Sequence, residues 1–243
     1  MTARLRRSPA GRRRAWHAGN PRARRATSFP DGGCAPWAET ARRLLQDRRG
    51  TTCAASLTEG FMSGRLVHCK VAILAVDGFE EAELVEPQRA LAAEGAQVDV
   101  ISQKPGEIQG FRHVDKGKRV KVDRTFDDAR EGDYDAVVLP GGVVNGDAIR
   151  MVPAAREFVT AAVGAGKPIA AICHGGWLLV SAGLVEGRTM TSWPSLQDDI
   201  RHAGGKWVDQ EVVRDGPFIT SRKPDDLPAF NGALIDSLAP QRA

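Results

Sequence analysis

The 243-residue sequence contains no apolar run that approaches the roughly 20 residues a helix needs to cross a bilayer. It also has no apolar core of the kind found in secretory signal peptides. The first absence argues against a membrane-spanning protein, and the second argues against secretion. We therefore expect a cytoplasmic protein without a membrane partner.

Cysteine is scarce: Cys34 and Cys53 precede residue 62, and only Cys69 and Cys173 follow it. No CxxC pair indicates a disulfide framework or a zinc site, and the histidines do not recur at metal-ligand spacing. The glycine-rich segments match neither the dinucleotide fingerprint nor the P-loop. We predict no metal and no cofactor.

Lysine is absent from residues 1–60, which contain thirteen arginines and four acidic residues and so carry a net charge of +9. Because the whole chain carries +4, the remaining 183 residues carry −5. This segment is rich in Arg, Ala, Gly and Pro and lacks sustained apolar periodicity, as disordered segments do. We interpret residues 1–65 as a disordered tail or as upstream translation before Met62. Nucleic acid is not an expected partner, except through this basic tail.

Residues 66–243 show the pattern of one α/β domain. Short apolar runs at 71–76, 98–101 and 136–139 are typical of strands buried on both faces, and a further strand is expected at 188–191. Helical patterns at 80–94 and 153–163 separate the runs and end at glycines. Strands that alternate with helices predict a parallel sheet sandwiched between helices, with the functional site outside the carboxyl ends of the strands.

Cys173 lies where such a strand would end. It stands in residues 168–176, PIAAICHGG, and a helical pattern follows. A thiol at a sharp strand-to-helix turn is well placed for covalent catalysis, and the helix dipole is expected to favour its reactive thiolate. An inert buried cysteine is the competing interpretation.

Five segments, in order, resemble the PfpI family, the intracellular-protease-like and protein-deglycase branch of the superfamily that also holds the parkinsonism-associated deglycase and class I glutamine amidotransferase domains. The resemblance implies a flavodoxin-like, class I glutamine amidotransferase-like fold. It also implies that Cys173 is the nucleophile. The segments are residues 77–84, 138–142, 166–175, 191–194 and 220–231.

The same resemblance implies that Glu83 hydrogen-bonds the cysteine and that Glu80 is a second acidic group nearby. On a helix the two residues share one face, because they are three apart, whereas Glu81 would point elsewhere. A carboxylate beside a thiolate disfavours a second negative charge. Glu83 should therefore hold its proton more tightly and could shuttle it. The competing interpretation is a solvated first turn stabilised by the helix dipole.

Helical geometry does not place the His174 imidazole against Cys173, because adjacent residues of a helix do not face one another. The family resemblance implies that an acid from a neighbouring subunit completes this histidine, and Asp147 occupies the corresponding region. The resemblance also places Trp193 beside the cysteine, as a pocket wall or as an interface aromatic.

The glycines at 141 and 142 would let a substrate approach the site closely. Gly142 and the backbone N–H of His174 are candidates for an oxyanion hole, and Gly141 lies beside them in the pocket.

The sequence therefore predicts an oligomeric, cysteine-dependent stress-protection enzyme with a small aldehyde or glycated amine as substrate. Glyoxalase or deglycase chemistry on methylglyoxal or its early adducts is the preferred function. The alternatives are an intracellular cysteine peptidase and a non-enzymatic redox-sensing or chaperone-like stress protein. A glutamine amidotransferase fits less well, because His202 is followed by Ala203 and not by a carboxylate.

Overall fold

The computed structural model describes residues 64–240. The predicted tail, 1–65, lies outside the described residues except for its last two, so its boundary stays a prediction. Within the described part, no helix is long and apolar enough to cross a membrane.

The described residues form an α/β sandwich. Numbered along the chain, the strands are β1 (Lys70–Leu74), β2 (Phe79–Glu80), β3 (Gln97–Ser102), β4 (Gly106–Arg112), β5 (Asp115–Val122), β6 (Arg124–Thr125), β7 (Ala136–Leu139), β8 (Ile169–Ile172), β9 (Thr189–Met190), β10 (Lys206–Trp207), β11 (Val212–Asp215) and β12 (Phe218–Ser221). The α-helices are α1 (Glu81–Ala93), α2 (Val143–Ile149), α3 (Pro153–Gly164), α4 (Gly176–Ser181), α5 (Gln197–His202) and α6 (Leu227–Leu238).

The central sheet of the described residues has seven strands in the order β11-β12-β8-β7-β1-β3-β6. All of its pairings are parallel except the β11–β12 hairpin at one edge. The predicted α/β class with a mostly parallel sheet between helices is therefore confirmed. The predicted strand at 188–191 is reduced to β9, which pairs with β10 in a separate two-stranded sheet.

The core consists of two apolar clusters, one on each face of the central sheet. In β1, Ala72 and Leu74 belong to one cluster, whereas Val71 and Ile73 belong to the other, as the two-residue period of a strand requires. Helix α3 covers the first face, and helices α1 and α6 cover the second. Each fully buried Leu or Ile side chain contributes about 1.5–3 kcal/mol to the free energy of burial. This double coverage explains why the strands read as continuous apolar runs.

A three-stranded sheet, ordered β2-β4-β5, stands beside the carboxyl end of β1. The search for short apolar runs did not predict this sheet. Most residues of the β4–β5 hairpin are exposed, and its strands carry few buried apolar side chains. Its first strand, β2, directly precedes α1. Glu80 therefore lies in an extended segment and not on the predicted helix, which begins at Glu81.

Candidate active site

Cys173 occupies the turn directly after β8. Its φ of 58° is in the left-handed region, which a non-glycine residue rarely adopts, and the Cys173–Gly175 turn leads straight into α4. Strain of this kind costs on the order of 1–3 kcal/mol and concentrates at functional sites. At the carboxyl end of a central strand, the bend presents the thiol to a cleft.

The surroundings of Cys173 raise the pKa of its thiol. Burial is the main cause and the neighbouring Glu83 carboxylate the next, and the backbone N–H groups of Gly142 and His174 act in the opposite direction without prevailing. The expectation that the helix dipole favours the thiolate was therefore wrong in its net direction. Helix α4 has only six residues, and the cost of desolvating a charge outweighs so short a dipole.

Glu83 lies in the first turn of α1 with none of its surface exposed. Its pKa is raised to about 8, chiefly by burial and to a smaller extent by the nearby Glu80, whereas hydrogen bonds from Gly141 and Cys173 act in the opposite direction. The Gly141 N–H donates to Glu83 Oε2 at 2.8 Å. Oε1 has no hydrogen-bond partner among residues 64–240. Glu83 therefore holds a proton at neutral pH, next to the thiol.

Gly141 fills the space between the carboxyl group and the cysteine. A Cβ at this position would come within 2.5 Å of Glu83 Oε2 and 2.7 Å of Cys173 Cβ, so only glycine fits. Gly141, which the sequence analysis placed beside the candidate oxyanion-hole donors, uses its own N–H to hold Glu83. Gly142, with φ of 88°, instead presents its N–H to the thiol.

Glu80 and Glu81 both depart from the sequence expectation. Glu80 lines the cleft, but its Oε2 accepts a hydrogen bond from the backbone N–H of His113 at 2.9 Å. Glu81, expected to face away, is buried, and its carboxylate pairs with Arg112 and accepts the N–H of Lys118. Both groups therefore bind the β4–β5 hairpin.

His174 does contact its neighbour, contrary to the helix-based expectation. Its Nδ1 lies 3.2 Å from Cys173 Sγ, because the left-handed turn at Cys173 brings adjacent side chains to one side. Burial lowers the pKa of His174 to about 4, so the imidazole is neutral at pH 7. Ser195 Oγ lies 3.4 Å from Nε2, and the indole of Trp193 stacks on the imidazole at 6.0 Å.

The thiol opens into a cleft of about 400 Å³. The backbone N–H of Trp193 donates to the Cys173 carbonyl at 3.3 Å, which joins the segment that carries the indole to the turn at Cys173. Apolar and aromatic side chains predominate, as in most small-molecule sites. The lining residues are Glu80, Glu83, His113, Val114, Gly142, Val143, Cys173, His174, Trp177, Trp193, Ser195 and Pro224.

Asp147 does not line the cleft. It is exposed on α2, and the preceding residue, Gly146, packs against His174, where a Cβ would approach the His174 carbonyl oxygen to 2.8 Å. Its reach into a neighbouring subunit remains a prediction.

Six residues that line the cleft were not among the predicted site residues: His113, Val114, Val143, Trp177, Ser195 and Pro224. The signal for Trp177 was available, because it lies four residues after Cys173 in the helical pattern. Nothing in the local sequence pointed to His113 and Val114, since the β4–β5 hairpin itself went unpredicted. In the described residues no three His, Cys, Asp or Glu side chains are grouped as metal ligands would be.

A family model described as DJ-1/PfpI matches residues 69–237. Deglycase PfpI of Pyrococcus furiosus is 42% identical over 169 residues, which cover 70% of this chain and 99% of that protein. Putative cysteine protease YraA of Bacillus subtilis is 37% identical over 169 residues, which cover 70% and 98%. The structure of Schizosaccharomyces pombe DJ-1 matches with a TM-score of 0.64 at 23% identity, over 71% of this chain and 93% of that one, which supports the fold.

Proposed function

Because the chain belongs to the DJ-1/PfpI family, we propose that it is a cysteine-dependent enzyme that acts on reactive carbonyl compounds. The substrate class is methylglyoxal, related 2-oxoaldehydes or their early adducts with amines, and the reaction is of the glyoxalase or deglycase type. The single observation that carries this proposal is the buried pair of Cys173 and Glu83, in which the carboxyl group has a pKa of about 8.

The pair is suited to the proton transfers of this reaction. Two adjacent negative charges in a buried site are unfavourable, so the thiol and the carboxyl group carry at most one between them near pH 7. That single charge can lie on sulfur during attack and on the carboxylate during proton removal. A general acid-base works best when its pKa is close to the operating pH, as that of Glu83 is.

In the proposed sequence, Cys173 Sγ attacks the aldehyde carbon, and the N–H groups of Gly142 and His174 stabilise the oxygen as charge develops. In the ionised form of the pair, the Glu83 carboxylate takes the thiol proton as sulfur attacks and passes it to the oxygen, which gives a hemithioacetal and leaves Glu83 ionised. The Glu83 carboxylate then removes the proton from the former aldehyde carbon and returns it to the adjacent ketone carbon, while the hydroxyl proton passes to the ketone oxygen. The aldehyde carbon is oxidised and the ketone carbon is reduced, so no external redox partner is required.

The product of that transfer is a thioester between Cys173 and the hydroxy acid. Water cleaves it to the free hydroxy acid and regenerates the thiol, and the balance is methylglyoxal plus water giving lactate. A hemiaminal adduct carries an amine on the same carbon, and that amine leaves when the sulfur takes its place.

A cysteine peptidase is the second candidate, favoured by the 3.2 Å contact between Cys173 Sγ and His174 Nδ1. In that reaction the neutral imidazole would take the thiol proton and later return it to the leaving amine. The proposal includes assembly as a homo-oligomer, in which the exposed Asp147 of one subunit would approach His174 of another.

Lactate formation from methylglyoxal, measured beside hydrolysis of a peptide substrate, tests the proposal. We expect lactate from the wild-type protein, none from Cys173→Ser, and undiminished formation in Cys69→Ser, the matched change at the other cysteine of the domain. Peptide hydrolysis without lactate would favour the peptidase, and lactate formation unaffected by Cys173→Ser would exclude thiol catalysis.

A further inference from the structure

The acidic segment before and within the first turn of α1 divides its carboxylates between two tasks. Only Glu83 faces the thiol. Asp77 Oδ1 accepts the N–H of Gln109 in β4 at 2.7 Å, and Glu80 Oε2 accepts the N–H of His113, just beyond the end of β4, at 2.9 Å. The segment is thereby joined along its length to the β4–β5 hairpin, in addition to the backbone pairing of β2 with β4.

Glu81 makes the strongest of these attachments. Its two oxygens lie 3.2 and 3.1 Å from Nε and Nη2 of Arg112, and Oε2 also accepts the N–H of Lys118 at 2.7 Å. Gly117 leaves room for the carboxylate, since a Cβ there would come within 2.2 Å of Glu81 Oε2. A paired, charge-assisted bond of this geometry fixes orientation as well as position.

The hairpin tip, residues 112–115, is held in this way over the mouth of the cleft. His113 has a φ of 57°, so the turn keeps a non-glycine residue in the left-handed region. Both His113 and Val114 line the cleft. Val114 is 86% exposed, although the transfer of a valine side chain from water to an apolar environment is favourable. Val143 and Trp193, 56% and 38% exposed, add further apolar surface to the same cleft.

We propose that the hairpin tip is the specificity-determining wall of the Cys173 cleft, and that Asp77, Glu80 and Glu81 are positioning residues that hold it there. The wall favours substrates that carry an apolar group beside the reacting carbonyl, because such a group covers the exposed Val114 side chain. The substrate preference rests on the proposed function. The position of the hairpin tip at the cleft does not depend on that function.

Cleft size is consistent with this selectivity. A volume of about 400 Å³ exceeds what a three-carbon aldehyde occupies, so part of the cleft remains for a substituent. The reacting carbonyl must lie at Cys173, on the floor. The substituent then extends toward the mouth, where His113 and Val114 form one side.

Two maleimides that differ in their N-substituent, N-methylmaleimide and N-phenylmaleimide, test the wall without requiring turnover. Their difference in intrinsic reactivity cancels when the ratio of their rates in a variant is divided by that in the wild type. The rate of modification is followed on the peptide that contains Cys173 by mass spectrometry, in wild type, Val114→Ser, Glu81→Gln and Val67→Ser. Val67 is the matched control, since it is 40% exposed and does not line the cleft. Circular dichroism establishes that each variant is folded.

We expect Val114→Ser to lower the ratio of phenyl to methyl rates about fivefold, which corresponds to the loss of a small apolar contact. Glu81→Gln should lower it in the same direction by loosening the tip, and Val67→Ser should leave it unchanged. An unchanged ratio in Val114→Ser overturns the wall. An unchanged ratio in Glu81→Gln alone overturns its positioning role.

The substrate part is tested by kcat/KM for phenylglyoxal against methylglyoxal. We expect Val114→Ser to raise KM for phenylglyoxal more than KM for methylglyoxal, and Val67→Ser, outside the cleft, to leave both values unchanged. If the wild-type protein converts neither compound, the proposed function fails while the maleimide ratio still decides whether the wall exists. Equal KM changes for both compounds would contradict selection by the substituent.

Discussion

The floor and the mouth of the cleft differ in how far their side chains are buried. The floor consists of Glu83, Gly141, Cys173 and His174, and its three side chains are between 0% and 7% exposed. The mouth consists of the hairpin tip with Val143 and Trp193, and its three apolar side chains are between 38% and 86% exposed. Buried, closely packed groups can hold unusual protonation states, whereas exposed apolar groups are available for contact with a ligand.

Two carboxyl groups of α1 express this difference. Burial raises the pKa of Glu83 to about 8, whereas hydrogen bonds from Arg112 and Lys118 lower the pKa of Glu81 below its ordinary value. The residues are two apart, so they leave the helix in different directions. Glu83 belongs to the floor and is proposed to move protons, whereas Glu81 holds the hairpin tip at the mouth.

The largest expected effect is on the floor. Glu83→Gln keeps the shape of the side chain but removes the ionisable group, so turnover of methylglyoxal should fall by about 100-fold to 10,000-fold. Glu86→Gln is the matched control, because Glu86 lies on the same helix, partly exposed beside Arg89. Glu81→Gln, the control that the sequence suggests, is unsuitable because it loosens the hairpin.

His174→Ala separates the two reactions. An enzyme of the proposed type should lose less activity in His174→Ala than in Glu83→Gln, and a peptidase should show the reverse order. Turnover that survives Glu83→Gln undiminished would show that this carboxyl group moves no proton.

The second effect is on stability and has opposite signs at the two carboxyl groups. Between pH 4.5 and about 8 the folded protein retains the Glu83 proton while the unfolded chain loses it, so this group makes the protein less stable as the pH rises. Glu83→Gln removes that dependence. Its free energy of unfolding relative to wild type should rise by on the order of 3–5 kcal/mol between pH 5 and pH 9.

Glu81 has a lowered pKa, so its contribution is present above its ordinary pKa and is lost as the pH falls through the folded value. Glu81→Gln should therefore be less stable than wild type at pH 7, with a difference that shrinks on acidification. Urea titrations at a series of pH values measure both variants. If the free energies of unfolding of Glu83→Gln and Glu81→Gln changed in the same way with pH, the proposed difference between the floor and the mouth would be wrong.

The smallest effect concerns the reactivity of the thiol. Above about pH 8 the Glu83 carboxylate is ionised and raises the pKa of Cys173. At pH 9, Glu83→Gln should therefore react with iodoacetamide faster than wild type, by about tenfold for each pKa unit that the charge contributes. Cys69 provides the internal reference in the same protein. Equal rates at Cys173 in both proteins would mean that the two groups do not interact.

The centre of the parallel sheet could be predicted from the sequence, because strands that are buried on both faces consist of continuous apolar runs. The runs at 71–76, 98–101 and 136–139 correspond to β1, β3 and β7, and the helical pattern at 153–163 corresponds to α3. The β4–β5 hairpin could not be predicted in this way. Its stability comes from pairing with β2 and from the carboxylates of Asp77, Glu80 and Glu81, which are distant in sequence.

The features of the site also fall into those that the sequence predicts and those that require the structure. The position of Cys173 at the end of β8 was predictable because a strand terminus is a local feature, whereas the assignment of Glu83 to the site came from the resemblance to the PfpI family. The protonation states were not predictable, since the direction of the pKa shift at Cys173 depends on burial and on a charge from another element. The contact of His174 with Cys173 also required the structure, because it follows from a left-handed turn and not from helical geometry.

The sequence by itself determined the buried strands β1, β3, β7 and β8, the helices α1 and α3, and the cysteine that follows β8, since these follow from short-range periodicity. Only the tertiary structure decided that Glu80 and Glu81 bind the β4–β5 hairpin and that the apolar side chain of Val114 lies at the mouth of the cleft. The physical reason is that these features depend on contacts between residues that are distant in the sequence. Hydrogen bonds such as that between Glu80 and His113 join residues far apart in the chain, and burial is a property of the whole fold.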